Sequence, residues 1–293
     1  MRTPVVLVHG LWHGSWCWTP VVEQLAARGV PAVAVDLDGH GLKHRSPEAR
    51  WARPFDRGAY AAEPAPLADV TAASAAETLV GQLRRIGGGR PCLVVAHSMG
   101  GVVATAATER APDLVAGLVY VSAFAPVSGP PAGYYLGEPE NAGERVTPLM
   151  AADPALVGAL RQDTGGRAGR DAVRDAFYHD VDRPTAEAAI SLLSPDGPLG
   201  IAQDPVPVTA ARYGSVPHTY VVCTRDRVVP EALQRRFVTE IDAVSAQPTR
   251  VFELDTSHSP FLSRPADLAE VIAAVALRSP SPPRPSRSRT APA

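Results

Sequence analysis

The chain has 293 residues, 45% hydrophobic and 20% charged, a soluble globular composition with room for one large α/β domain or two small ones. Its net charge of −2 creates no strong field of either sign, which argues against nucleic acid or an anionic membrane as partner. The three cysteines, Cys17, Cys92 and Cys223, are far apart and form no CxxC pair, which argues against a disulfide framework or a zinc site; Cys92 and Cys223, in apolar runs, read as buried free thiols.

In chain order, MRTPVVLVHG enters a strand at once. It shows no secretory h-region or cleavage site, and no apolar run reaches the ~20 residues that span a bilayer, so a cytoplasmic protein is expected. Short β-branched runs recur at 4–9, 31–37, 91–97, 117–123, 218–224 and 249–254. Nearly continuous in apolar character, they read as strands covered on both faces. Helical stretches alternate with them: 19–29, with Thr19 as N-cap, Pro20 in the first turn and Gly29 as C-cap; 70–89, ending in a glycine run; and 264–278. This alternation predicts an α/β fold, a mostly parallel sheet with helices on both faces. Residues 1–277 form that domain. Residues 38–69 read as a long excursion after the second strand. Residues 124–217, with helical patterns near 152–162, 168–180 and 184–193, are too long for a crossover and read as a helical cap insertion over a site. The Pro/Arg/Ser-rich tail 278–293 is expected to be disordered.

The strand at 91–97 runs into Ala96-His97-Ser98-Met99-Gly100 and then a helix from about 100. That is the context of a nucleophile elbow, in which a strained serine needs small neighbours; alanine stands here in the first glycine position. A plain strand-to-helix turn would look similar. A serine nucleophile also needs a base, and the base an orienting acid, in the order Ser, acid, His, each just past a strand. Asp226 follows the strand at 218–224, and His258 follows the strand at 249–254. Asp226 could instead be a turn or N-cap residue, and Glu253 and Asp255 lie nearer His258 in sequence. Oxyanion donors would be the backbone N–H of Met99 and that of Leu11, which Gly10 leaves free at a sharp turn. HGLWHG could equally be a simple glycine-rich connection.

With these residues in place the chain resembles the α/β-hydrolases. It is most similar to the branch of the plant methylesterases, such as the methyl salicylate esterases, and the hydroxynitrile lyases. The resemblance rests on VVLVHGLWHGSWCWTPVV, AHSMGG, SAFAP, VVCTRDRVVPEALQRRF and SHSPFLSRPADLAEVI. It spans roughly 4–276 and weakens in 40–70 and 125–205, where substrate would be contacted. The lyases of this branch carry a threonine and a lysine where this chain has Gly10 and Ser259, so the resemblance implies ester hydrolysis rather than cyanohydrin cleavage. A hydrolysis of epoxides would need an aspartate in place of Ser98.

The expected activity is therefore that of a serine carboxylesterase acting on an apolar or aromatic ester, through an acyl-enzyme on Ser98, without metal or organic cofactor. An acyltransferase with the same triad, or a non-catalytic binding or sensor protein of the same fold, are the alternatives. Trp12, Phe124, Tyr134, Tyr135, Phe177 and Phe261 are candidate pocket walls, with Leu136, Met150 and Tyr178 beside them. Trp16 and Trp18 read as packing residues. The expected partner is a small-molecule ester, with no nucleic acid and no membrane, and the protein a monomer or homodimer.

Overall fold

In the computed structural model, residues 3–278 are described; the tail expected to be disordered lies outside them, save for Arg278. The first strand, β1 (Val5–Val8), leads through a short 3-10 turn into α1 (Thr19–Ala27), and β2 (Ala32–Val35) follows. After an irregular stretch come α2 (Arg57–Ala62), α3 (Ala72–Gly87), β3 (Cys92–His97), α4 (Gly100–Arg110) and β4 (Val115–Val121). The segment before the next sheet strand holds α5 (Pro154–Val157), β5 (Ala159–Arg161), α6 (Arg167–Phe177), α7 (Arg183–Leu192), β6 (Asp196–Pro198) and α8 (Leu199–Gln203). The chain closes with β7 (His218–Cys223), α9 (Glu231–Val244), β8 (Arg250–Leu254), α10 (Pro260–Ser263) and α11 (Pro265–Arg278).

Six strands form one sheet in the order β2-β1-β3-β4-β7-β8, and every pairing is parallel. The period-2 geometry of a strand divides the apolar residues between two cores. Val5, Leu7, Leu93, Val95, Val119 and Val121 face α1 and α11. Val6, Val8, Val94, Ala96, Leu118 and Val222 face α3, α4 and α9. Doubly covered strands explain the runs without alternation, but the edges depart from that reading. Val33 of β2 and Val251 of β8 are 44% and 42% exposed, because an edge strand has a neighbour on one side only.

Local chemistry sets the element ends. Thr71 and Ser74 form a reciprocal capping box at the start of α3, and Gly88 ends it at φ 59°, where a side chain would be strained. The segment between β4 and β7 differs from expectation at its start. The pattern near 152–162 is not one helix but the single turn of α5 and then β5, which pairs antiparallel with β6. Gly158, at φ 72°, stops the helix and turns the chain into β5 of this two-stranded sheet. A fully buried ion pair joins its two strands. Arg161 meets Asp196 through Nε–Oδ1 and Nη2–Oδ2, both at 2.7 Å. Its Nη1 donates to the carbonyls of Tyr60 and Glu63 at 2.6 and 2.7 Å. The irregular 38–69 stretch is thereby bound to the β5–β6 sheet.

Candidate active site

Ser98 lies between β3 and α4 with φ 53°, a left-handed backbone that a non-glycine residue holds only when its surroundings enforce it. Its N–H donates to Val121 O at 3.3 Å, and its carbonyl accepts from Phe124 N at 3.1 Å, so β4 clamps the turn. The small residues are required by close approach. A Cβ on Gly100 would lie 2.3 Å from the His9 carbonyl oxygen, and one on Gly101 would lie 2.3 Å from that of Phe124. Gly10 serves the same end: a Cβ there would meet Ser98 Cβ at 2.6 Å. The sharp backbone expected at Gly10 falls instead at Trp12, with φ 62°.

Asp226 and His258 meet directly. His258 Nδ1 is 2.7 Å from Asp226 Oδ2, and both side chains are fully buried. Asp226 Oδ1 accepts from the amides of Val228 and Val229 at 2.6 and 3.0 Å. One oxygen therefore closes a turn, and the other meets the imidazole. Pro230, not Asp226, is the N-cap of α9. The rival carboxylates are engaged at the surface, Glu253 with Arg235 and Asp255 with Arg225, each at 2.7 Å.

With Nδ1–H given to Asp226, the acceptor nitrogen of His258 is Nε2, which is buried and has no hydrogen-bond partner among the described residues. No hydrogen bond joins it to Ser98. The loops are instead tethered through the neighbour of Ser98: His97 Nε2 donates to the His258 carbonyl at 2.8 Å, with ring centroids 4.4 Å apart. The backbone N–H groups of Leu11 and Met99 have no acceptor among the described residues, and both residues border the cavity that Ser98 opens into.

Other histidines brace this end of the sheet. His9 Nδ1 donates to the Gly10 carbonyl at 2.8 Å, and Nε2 accepts from Leu37 N at 3.0 Å. His13 Nδ1 donates to the Leu11 carbonyl at 2.7 Å, leaving Nε2 to accept the Tyr178 hydroxyl at 2.6 Å. Burial lowers both from the ordinary 6.5 to about 3, with His40 adding to the shift at His9. Burial likewise holds His97 well below its ordinary value.

The cavity measures about 180 Å³ and is lined by Leu11, Ser98, Met99, Phe124, Met150, Leu160 and Phe177, among others. Among the described residues, no charged side chain lines it. Of the aromatic wall candidates, Phe124 and Phe177 border it; Trp12, Tyr134, Tyr135, Tyr178 and Phe261 do not. Trp12 is fully buried and acts as a tether, its indole donating to Leu160 O at 2.7 Å and its carbonyl accepting from Ser194 N at 2.8 Å. Tyr134 is 48% exposed. Tyr135 turns away to Glu240, at 2.6 Å, and packs on Phe237. Phe261 lies in the core on the other sheet face, against Trp18. Tyr178 is held by His13. The walls missed in the sequence are aliphatic residues such as Val102, Val146 and Val228, which carry no signal apart from core packing. All three cysteines are buried. Among the described residues, no group of three or more His, Cys, Asp or Glu side chains is placed to hold a metal ion, and no helix is long and apolar enough to cross a membrane.

Known proteins are similar to this chain along nearly its whole length. The esterase PIR7B of Oryza sativa subsp. japonica is 29% identical over 286 residues, covering 92% of this chain and 94% of its own. Methylesterase 7 of Arabidopsis thaliana is 29% identical over 282 residues, covering 92% and 95%. The crystal structure of the pyrethroid hydrolase PytH superposes with a TM-score of 0.74 at 25% identity, covering 95% of this chain and 99% of that one. The model of the alpha/beta hydrolase family matches residues 5–271, and with that span the chain belongs to the α/β-hydrolase family.

Proposed function

We propose that this carboxylesterase-type hydrolase cleaves an uncharged carboxylic ester through an acyl-enzyme on Ser98. The observation that carries the reading is the buried Asp226–His258 pair, which leaves the acceptor nitrogen of His258 without a partner, in a loop tethered beside the strained Ser98. Relatives named as esterase, methylesterase and pyrethroid hydrolase support ester cleavage as the reaction class.

In this mechanism His258 Nε2 takes the Ser98 proton as the hydroxyl oxygen attacks the ester carbonyl, once substrate has brought the two within hydrogen-bonding reach. Asp226 fixes the imidazole tautomer and stabilises the imidazolium. The Leu11 and Met99 amides stabilise the tetrahedral oxyanion. His258 then protonates the departing alcohol, and water, deprotonated by the same nitrogen, releases the acid. A lining without charged side chains suits a neutral, apolar acyl or alcohol group. A volume near that of a benzene-binding cavity argues for a compact group in the enclosed part.

Labelling with a fluorophosphonate tests this directly. The wild-type protein is expected to label at Ser98 and Ser98→Ala not at all, with turnover of p-nitrophenyl esters falling about 10⁶-fold. Labelling elsewhere, or activity retained in Ser98→Ala, refutes it.

A further inference from the structure

A second serine contacts the Asp226–His258 pair. Ser122 follows β4 directly, is fully buried, and stands at φ 44°, a conformation that glycine would hold at less cost. Its N–H donates to Val221 O at 3.0 Å, which fixes the residue against β7. Its hydroxyl donates to Asp226 Oδ2 and lies 3.3 Å from His258 Nδ1. The two carboxylate oxygens of Asp226 are thus held from different parts of the fold. Oδ1 is bound by amides of its own loop. Among the described residues, Oδ2, the oxygen that meets the imidazole, is bound from the neighbouring strand by Ser122 alone, besides His258 itself.

We infer that Ser122 is a positioning residue. Its hydroxyl holds the Asp226 carboxylate in the orientation that presents Oδ2 to His258 Nδ1, and so keeps Nε2 directed for proton transfer with Ser98. The inference rests on the hydrolytic reading above. The strained backbone fits this role: this chain places a serine, rather than a glycine, at a left-handed position from which the hydroxyl reaches the carboxylate.

The test compares Ser122→Gly and Ser122→Ala with wild type. Glycine removes the hydroxyl and relieves the backbone; alanine removes only the hydroxyl. Three quantities are read: the fluorophosphonate inactivation rate at saturation, its half-saturating concentration, and the low-field proton resonance of His258 Nδ1. Both variants are expected to lose about 10- to 100-fold in inactivation rate, the order of loss that a misplacement of about 1 Å produces. Half-saturation should stay within about two-fold of wild type, so that the loss lies in the reaction and not in binding. The Nδ1 resonance should shift or broaden in both, while the melting temperature of Ser122→Gly is unchanged or raised. Inactivation within about two-fold of wild type together with an unmoved resonance overturns the inference. So does a loss of rate that only follows a loss of thermal stability. Should one variant fail to fold, the other decides. Absence of labelling at Ser98 in wild type would instead refute the hydrolytic reading, whereas normal labelling with indifferent Ser122 variants would refute this inference alone.

Discussion

Asp226 shows how much chemistry one side chain can be made to carry. Its carboxylate accepts from four donors: two amides, a hydroxyl and an imidazole. A buried charge with every lone-pair direction used is tolerable, whereas one left unpaired is costly. Asp226→Asn keeps the shape but turns an acceptor into a donor facing His258 Nδ1, which favours the wrong tautomer. Turnover is expected to fall about 10⁴-fold with little change in melting temperature. Steady-state kinetics beside a thermal melt checks both. The meeting of Asp226 and His258 was legible because each follows a strand of the sheet, in the order that the serine-hydrolase reading requires. The pocket walls were not: Trp12, Tyr135 and Phe261 are aromatic like Phe124 and Phe177, and only their partners in space separate a tether or a core residue from a wall.

At the scale of elements, the strand–turn–helix at Ser98 works because backbone approaches backbone. The start of α4 touches the carbonyl ends of the β1 and β4 loops through Gly100 and Gly101. Gly100→Ala would put a methyl group 2.3 Å from the His9 carbonyl, so the helix or the loop after β1 must move. A stability loss of about 1–3 kcal/mol is expected, with esterase turnover reduced at least about 100-fold because that loop carries the Leu11 amide. Gly81→Ala on α3 is the control, since its Cβ would meet nothing nearer than Arg85 Nη1 at 3.5 Å; it should gain roughly 0.5–1 kcal/mol. Denaturant titration of the two variants separates the cases. Continuous β-branched runs made the sheet readable, and proline and glycine punctuation marked α1 and the end of α3, although α1 is capped by Trp18 and Arg28 rather than by Thr19 and Gly29. The two-stranded β5–β6 sheet escaped because each strand has three residues, too few for an apolar run to show, and its ties to Trp12, Tyr60 and Glu63 are distant in sequence.

Over the whole molecule, the sheet end that bears Ser98 is packed with histidines held neutral by burial. His9 and His13 are lowered to about 3 and His40 to about 4, His97 is well below its ordinary value, and His218, further away, is also lowered to about 4. Each takes up a proton on unfolding once the pH falls below about 6.5, so the unfolded chain binds more protons than the native one. The contribution to stability is complete above pH 6.5 and is lost as the pH falls towards 3–4, by up to about 1.4 kcal/mol per pH unit for each histidine. Denaturant midpoints at pH 7.5, 6 and 5 should fall in that order, and a flat profile would contradict it. That fold-wide behaviour could not be read from eight histidines in a sequence, since only packing tells a buried ring from an exposed one. The uncharged cavity has a consequence of its own under the hydrolytic reading. An ester enters neutral, but cleavage leaves an acid that ionises at ordinary pH, and a carboxylate is poorly tolerated among Leu, Met, Val and Phe with no cation to receive it. The walls that welcome the reactant thus repel the acid it becomes, giving the chamber a built-in direction of traffic.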